Sequence, residues 1–201
     1  SAPGTPSWLV VTETGGRSAL SAQLARAELP VAAVNDAPTL STAGGALALQ
    51  AGADAPGLVR TSAAALLAMA GADDVDQGAQ RGLAITGLDG PGRWQASLDG
   101  RTWTDLSAPA AGQALMLAPA TELRFLAASG GAEQARLDFR AWDQSDGRPP
   151  ADDRPAQPVA VPGTGGRSAW SASTGVLQAS TRAALQPDLP PAPANPPPAP
   201  A

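Results

Sequence analysis

The 201-residue sequence contains no cysteine, histidine, tyrosine or lysine. Without histidine, cysteine and lysine, the chain cannot form a Ser/His/Asp or Cys/His catalytic unit, a lysine Schiff base, or a zinc site on imidazole or thiolate. A glycosidase-type carboxylate pair is the remaining catalytic chemistry, but no two carboxylates are marked by the sequence as sharing one cleft. We therefore expect a protein that is not an enzyme.

Positive charge and long apolar runs are also scarce. Lys and Arg together number 13 against 18 acidic residues, and the net charge is -5. Nucleic acids and anionic membranes attract clustered cations, so we expect neither as a partner. No apolar run approaches the ~20 residues that span a bilayer, which predicts no membrane insertion. Residues 1–8 lack the features of a signal peptide, so we expect either a fragment or an export signal elsewhere.

Turn-forming residues are abundant. Glycine (22) and proline (21) together exceed a fifth of the chain, which favours many turns over long helices. Alternation and β-forming residues predict strands, beginning near Leu47 and Leu49 and continuing at Gly82–Leu88, Arg93–Leu98, Arg101–Leu106, Gln113–Leu117, Thr121–Ala127 and Ala135–Trp142. The alanine-rich stretch Thr61–Ala70 predicts a short helix capped by Thr61 or Ser62. The expected fold is an all-β antiparallel sandwich with one short helix in a crossover.

Asp99-Gly100 is the preferred dipeptide for a two-residue type I′ hairpin turn. That turn places Leu98 opposite Arg101, and it brings Trp94 and Trp103 to the same face as diagonal neighbours. We expect both tryptophans in the core.

A nine-residue stretch occurs twice. Residues 14–22 read TGGRSALSA and residues 164–172 read TGGRSAWSA, so eight of nine positions match at an offset of 150. The repeat predicts that 1–34 close a preceding repeat and that 35–185 form a complete one. A coincidental glycine-rich turn is the alternative, because such turns recur in β proteins.

The end of the chain has a different composition. Eight of the last fifteen residues are proline. Proline fixes φ and removes a backbone donor, so we expect 186–201 to be a disordered polyproline II spacer of roughly 45 Å when extended.

Four ordered motifs carry a family resemblance: AVNDAPTL at 33–40, DVDQGA at 74–79, GRWQASLDGRTW at 92–103 and FRAWDQS at 139–145. In this order they resemble the cadherin-like repeats of large bacterial surface adhesins and RTX-type secreted proteins. The resemblance implies an Ig-like sandwich in a tandem array, with calcium at the repeat junction and an extracellular or cell-surface location. It also implies that the partners are neighbouring repeats and a host or biofilm surface ligand.

The resemblance further implies a set of calcium ligands. These are Asn35, Asp36, Asp54, Asp74, Asp76 and Asp143. The residues agree with this chemistry, because calcium takes carboxylate and amide oxygens and a group of aspartates repels itself without a cation. Two departures weaken the match: Ala53 stands where the family has Glu, and PANPP replaces the second junction motif. A solvated aspartate turn remains the alternative.

A second function is open to the same fold. Trp8, Trp94, Trp103, Trp142 and Trp170 could serve a glycan- or protein-ligand-binding module, because aromatic faces are common at binding hot spots. Trp142 is out of phase with Leu137 and Phe139, so we expect it to be partly exposed.

Overall fold

The computed structural model describes residues 11–18, 20–41, 45–129, 132–148 and 157–182. The chain divides into two units, Ser1–Ala33 and Val34–Ala201. The second unit contains β1 (Ala46–Gln50), β2 (Leu58–Ser62), α1 (Ala63–Met69), β3 (Gly82–Asp89), β4 (Arg93–Ser97), β5 (Thr104–Asp105), β6 (Gln113–Leu117), β7 (Glu122–Leu126), β8 (Gln134–Trp142), β9 (Pro158–Ala160) and β10 (Gly175–Ser180). The described residues of the first unit include neither a helix nor a strand. The predicted proline-rich spacer lies outside the described residues.

The strands form two sheets. The six-stranded sheet has the order β1-β10-β8-β3-β6-β9, and the four-stranded sheet has the order β2-β7-β4-β5. The all-β prediction is confirmed. The expectation of a purely antiparallel fold is wrong at one edge, where β1 pairs with β10 in parallel. A parallel pair needs a long crossover, and the rest of the second unit provides it because β1 and β10 are its first and last strands.

One apolar core joins the two sheets. Leu83, Ile85 and Phe139 of the six-stranded sheet share a buried cluster with Leu123 and Phe125 of the four-stranded sheet. Phe139, Leu123 and Phe125 alternate with less buried polar residues such as Arg140 and Arg124, as expected for sheet faces that point away from the core. Burial of such side chains contributes about 1.5–3 kcal/mol each, so this shared core is the main source of cohesion in a β-sandwich-like fold.

Helix α1 begins where the sequence predicts. Ser62 is its N-cap, and the Ser62 hydroxyl accepts a hydrogen bond from the Ala65 amide at 3.1 Å. Leu66 and Leu67 are buried in the core between the sheets, in the crossover from β2 to β3. The predicted short helix and its Ser62 cap are confirmed. No helix in the described parts of the chain is long and apolar enough to cross a membrane.

The connection between β4 and β5 differs from the predicted two-residue hairpin. Gln95 pairs with Asp105 and Ala96 with Thr104, so the register is shifted by one residue from the expected one. The Asp99 carboxylate organises the longer loop by accepting hydrogen bonds from the amides of Arg101 and Thr102. A shift of one residue reverses the faces of a strand. The prediction that Trp103 joins Trp94 in the core is therefore wrong.

Trp94 and Trp103 end up in different environments. Trp94 is 5% exposed and packs on Phe125 with ring centroids 5.2 Å apart, so its predicted core position is confirmed. Trp103 lies half-buried on the outer face of the four-stranded sheet, with its ring centroid 4.0 Å from the guanidinium carbon of Arg124.

A second, smaller apolar cluster covers the outer face of the six-stranded sheet. It combines Trp142 and Trp170, which are each 1% exposed, with Ala84 and Met116. Trp142 does point away from the main core, as its phase predicts. The expectation that it is partly exposed is wrong, because the segment before β10 folds over it and brings Trp170 within 6.4 Å of its ring.

Gly175 offers a test of core packing. A β-carbon at this position would lie 2.4 Å from the Phe139 ring, whereas one at Gly163 meets nothing within 4 Å. We expect Gly175→Ala to lower the free energy of unfolding by about 1–3 kcal/mol through overpacking. Gly163→Ala is the matched control and should change it by less than about 0.5 kcal/mol. Urea titrations that give equal values for both variants would contradict the packing at Phe139.

Candidate functional site

Three chain segments meet at one end of the six-stranded sheet. Trp142, the last residue of β8, pairs with Gly82, the first residue of β3. Asp143 therefore follows β8 at the same end at which the segment 73–81 enters β3. The third segment is residues 35–39, which precede β1 and are here called the linker. An isolated antiparallel bridge between Thr39 and Asp73 joins it to the segment before β3. The register of β8 against β3 thus brings together acidic residues that are up to 70 positions apart.

Hydrogen bonds attach the linker to this end of the sheet. The Asp36 amide donates to Asp76 Oδ2 at 2.8 Å, and Asn35 Nδ2 donates to Asp143 Oδ2 at 3.0 Å. The Asp76 amide donates in turn to Asp74 Oδ1 at 2.9 Å. We call Asp74, Asp76 and Asp143 the acidic cluster. Backbone and amide N–H groups offset part of its charge.

Asp74 is the least satisfied member of the acidic cluster. Its Oδ2 atom is buried and has no hydrogen-bond partner among the described residues. Burial raises the pKa of Asp74, the charges of Asp143, Asp76 and Asp73 raise it further, and the hydrogen bond from the Asp76 amide opposes the shift. A buried carboxylate oxygen without a donor is costly to desolvate. Such an oxygen, beside two further carboxylates, suits a hard cation such as calcium.

As the side chains stand, no group of three or more acidic residues in the described part of the chain is arranged to hold a metal ion. Both oxygens of Asp143 accept hydrogen bonds. Oδ1 accepts from the Ser145 amide at 2.7 Å, and Oδ2 accepts from the Asn35 side chain. In this arrangement the acidic cluster is a hydrogen-bonded group that holds the linker.

The structure separates one predicted ligand from the other five. Asp54 follows β1, whose last residue Gln50 pairs with Ser180, and Ser180 pairs with Gln134 at the start of β8. Asp54 therefore lies beyond the end of the sheet opposite to Asp143. The sequence pattern could not reveal this, because the position of Asp54 depends on the parallel pairing of β1. The prediction that Asp54 shares a site with the other ligands is wrong.

A glycine-containing loop of residues 164–172, here called the glycine loop, also contacts the linker. Gly166 O accepts from the Ala37 amide at 2.7 Å, and Ser168 O accepts from Asn35 Nδ2 at 3.3 Å. Arg140 of β8 holds the other end of the loop by donating to the carbonyls of Ser171 and Ala172 at 2.7 and 2.6 Å. The repeated sequence predicts a shared turn but gives no sign that this loop accepts hydrogen bonds from the linker.

The first copy of the repeated stretch has the same local structure. In residues 14–22 the Gly15 amide donates to Leu20 O at 2.7 Å, as the Gly165 amide donates to Trp170 O at 2.7 Å. Both glycines have positive φ, 76° and 71°. At the described residues of both copies, the match in sequence is thus also a match in conformation. The copies differ in burial, since Leu20 is 38% exposed where Trp170 is 1% exposed.

The tryptophans expected to serve a binding module are mostly enclosed. Trp94, Trp142 and Trp170 are at most 5% exposed, and Trp8 lies outside the described residues. Trp103 is the one described tryptophan with part of its ring at the surface. Among the described tryptophans, Trp103 is therefore the candidate for contact with a ligand.

The raised pKa of Asp74 makes a prediction about charge. Because its folded pKa lies above the unfolded value of 3.8, ionised Asp74 costs stability at neutral pH. This cost begins to fall as the pH drops through the folded pKa, and it is gone below the unfolded value. In the presence of a chelator at pH 7, we expect Asp74→Asn to raise the free energy of unfolding by up to about 1 kcal/mol. Asparagine keeps an oxygen for the Asp76 amide.

Asp54→Asn is the matched control, since Asp54 is exposed and distant from the acidic cluster. It should leave stability unchanged in urea titrations at pH 7. Below pH 3.8, the ordinary pKa of an aspartate carboxyl, Asp74 becomes protonated in the folded and the unfolded state, and the advantage of Asp74→Asn should vanish. A loss of stability in Asp74→Asn under chelator at pH 7 would show that the charge is already compensated.

Comparison with known proteins adds no relative. No family model, no curated protein and no solved structure matches the chain.

Proposed function

We propose that the chain is part of a large bacterial surface or secreted protein, in which residues 35–185 are one cadherin-like, Ig-like repeat with a structural or adhesive role. The single observation that carries the proposal is the attachment of the linker to the acidic cluster through Asn35 and Asp36. A linker bonded to the end of its own domain is a defined joint, whereas an unattached linker would leave neighbouring domains free to reorient.

The repeated loop supports the tandem arrangement. The glycine loop of the second unit accepts the linker through Gly166 O. Gly16, the counterpart of Gly166, has a similar positive φ of 57° against 59°. We propose that the loop at 14–22 belongs to a preceding repeat and accepts that repeat's own linker in the same way. Each repeat in the array would then be closed by the residues that connect it to the one before.

Calcium is the proposed cofactor of the joint. Asp74, Asp76 and Asp143 would hold the ion together with oxygens of Asn35 and Asp36, and the ion would supply the positive charge that Asp74 Oδ2 lacks. A bound cation would tie the linker to the sheet end more firmly than the present hydrogen bonds. Extracellular modules bind calcium with dissociation constants of ~0.1–1 mM, so ~1 mM calcium would contribute roughly 0.5–1.5 kcal/mol per site.

The proposed location and partners follow from this chemistry. Sites of this affinity fill at the calcium concentration outside cells, which supports an extracellular or cell-surface location. Neighbouring repeats of the same polypeptide are the primary partners, and a host or biofilm surface is the target that the array would reach. The role is mechanical, since stiff joints between sandwich domains hold an array extended.

Calcium dependence tests the proposal, with thermal unfolding and small-angle X-ray scattering as the measurements. For the unaltered chain and Asp54→Asn, calcium at ~1 mM should raise the unfolding temperature relative to chelator by an amount that corresponds to roughly 0.5–1.5 kcal/mol. Asp74→Asn should gain little from calcium, although it is the more stable protein in chelator.

The scattering measurement examines stiffness separately from stability. Calcium should narrow the distribution of interatomic distances in the scattering of the unaltered chain. It should leave that distribution unchanged in Asp74→Asn. Equal calcium responses in Asp74→Asn and Asp54→Asn would place any bound ion away from the acidic cluster. The absence of a response in all three proteins would refute the calcium joint.

A further inference from the structure

The outer face of the four-stranded sheet carries a row of polar residues in register. Arg60 of β2 pairs with Arg124 of β7, Arg124 pairs with Gln95 of β4, and Gln95 pairs with Asp105 of β5. Each alternates along its strand with residues that face the core, such as Val59 and Phe125. The row therefore lies on the side of the sheet away from the main core.

Trp103 lies over the arginine end of this row. Its ring centroid is 4.0 Å from the Arg124 guanidinium carbon and 5.4 Å from that of Arg60. Its indole Nε1 donates to Gly100 O at 3.2 Å. The two arginine contacts are favourable, because a guanidinium group near the face of an indole gains cation–π energy. The ring is thus held in one orientation at the surface.

The loop that carries Trp103 is firmly organised. The Asp99 carboxylate accepts from the amides of Arg101 and Thr102 at 2.8 and 2.7 Å and from the Ser97 hydroxyl at 2.9 Å. The hydrogen bonds from these two amides and from Ser97 hold the pKa of Asp99 well below its usual range, so the carboxylate stays ionised. A preorganised aromatic surface binds a ligand with little loss of conformational freedom.

Arg60 and Arg124 lie side by side, and Arg124 Nε donates to Gln95 Oε1 at 2.7 Å. Like charges directly opposite in adjacent strands are destabilising. Among the described residues, no carboxylate forms an ion pair with Arg60 or Arg124, although Arg93 pairs with Asp105 at 3.8 Å. Burial, and then the charges of Arg60 and Arg93, lower the pKa of Arg124, and the charge of Asp105 opposes them. The arginine end of the row thus places two positive charges beside Trp103 on a chain whose net charge is -5.

We propose that Trp103, Arg60 and Arg124 form a binding site for an anionic sugar, such as a uronic acid residue of a polysaccharide. The apolar face of the sugar ring would pack on the indole, and its carboxylate would accept charge-assisted hydrogen bonds from the guanidinium groups. Arginine suits this task because its planar donors match a carboxylate. The site would give the repeat a ligand of its own in addition to its structural role.

The charge and shape of the patch favour this ligand over two others. A neutral sugar would leave the Arg60–Arg124 repulsion in place, so it should bind more weakly than an acidic one. A free carboxylate ion would gain only the exposed ion pairs, which are weak and screened by salt. The combination of a flat aromatic ring with two guanidinium groups therefore selects a carboxylate that is attached to a ring.

Nuclear magnetic resonance of the tryptophan indole groups can test the site. The chain has five tryptophans, so its ¹⁵N–¹H spectrum contains five indole signals, and Trp103→Phe identifies one of them. Glucuronate in the millimolar range should shift the Trp103 signal and leave that of buried Trp94 in place. Methyl glucoside and acetate, tested separately at the same concentrations and ionic strength, should each bind at least about fivefold more weakly.

Arginine variants locate the carboxylate. Arg60 is exposed, so Arg60→Gln should fold normally and bind glucuronate about fivefold or more weakly. Arg136→Gln on the six-stranded sheet removes the same charge from another exposed site and should bind as the unaltered chain does. The other indole signals confirm that each variant is folded.

Several outcomes would overturn the proposal. An unshifted Trp103 signal would mean that the tryptophan only covers the arginine side chains. Equal weakening in Arg60→Gln and Arg136→Gln would reduce the effect to net charge. Acetate binding as tightly as glucuronate would remove the role of the sugar ring, and tighter binding of an oligoglutamate peptide would assign the patch to an acidic protein.

Discussion

The pairing of β8 with β3 and β10 is the constraint on which the rest of the molecule depends. Strand β8 spans nine residues between these two partners, and its alternation sends Phe139 into the main core and Trp142 to the opposite face. Its last residue lies at the end of the sheet where Asp143 meets Asn35. Because one strand supplies core, outer cluster and site, a change in its register would disrupt all three.

The linker and the acidic cluster stabilise each other electrostatically. Three carboxylates at one sheet end repel each other, and the N–H groups of the linker and the neighbouring turns offset part of that repulsion. The Asp36 amide and the Asn35 side chain are therefore acceptable partners for Asp76 and Asp143. The repulsion is least compensated at Asp74, because its buried Oδ2 atom has no hydrogen-bond donor among the described residues. The linker is thus held at the sheet end by hydrogen bonds to carboxylates.

A shift of one residue in the pairing of β4 with β5 changes the face of the sheet on which Trp103 lies. The Asp99-Gly100 dipeptide predicts a tight hairpin, but the Asp99 side chain bonds to the amides of Arg101 and Thr102 and stabilises a longer loop. Hydrogen bonds of this type compete with the standard turn, and dipeptide preference does not account for them. Trp103 consequently leaves the core and joins Arg124 at the surface.

The sequence by itself determined the features that depend on neighbouring residues. Strand β6 occurs at its predicted residues, Ser62 caps α1, and the repeated glycine loops share positive φ values because glycine permits them. Tertiary structure decided the parallel pairing of β1, the enclosure of Trp142 by Trp170, and the distance of Asp54 from the acidic cluster. These features arise from contacts between segments that are far apart in the chain, and local composition and periodicity carry no information about such pairings.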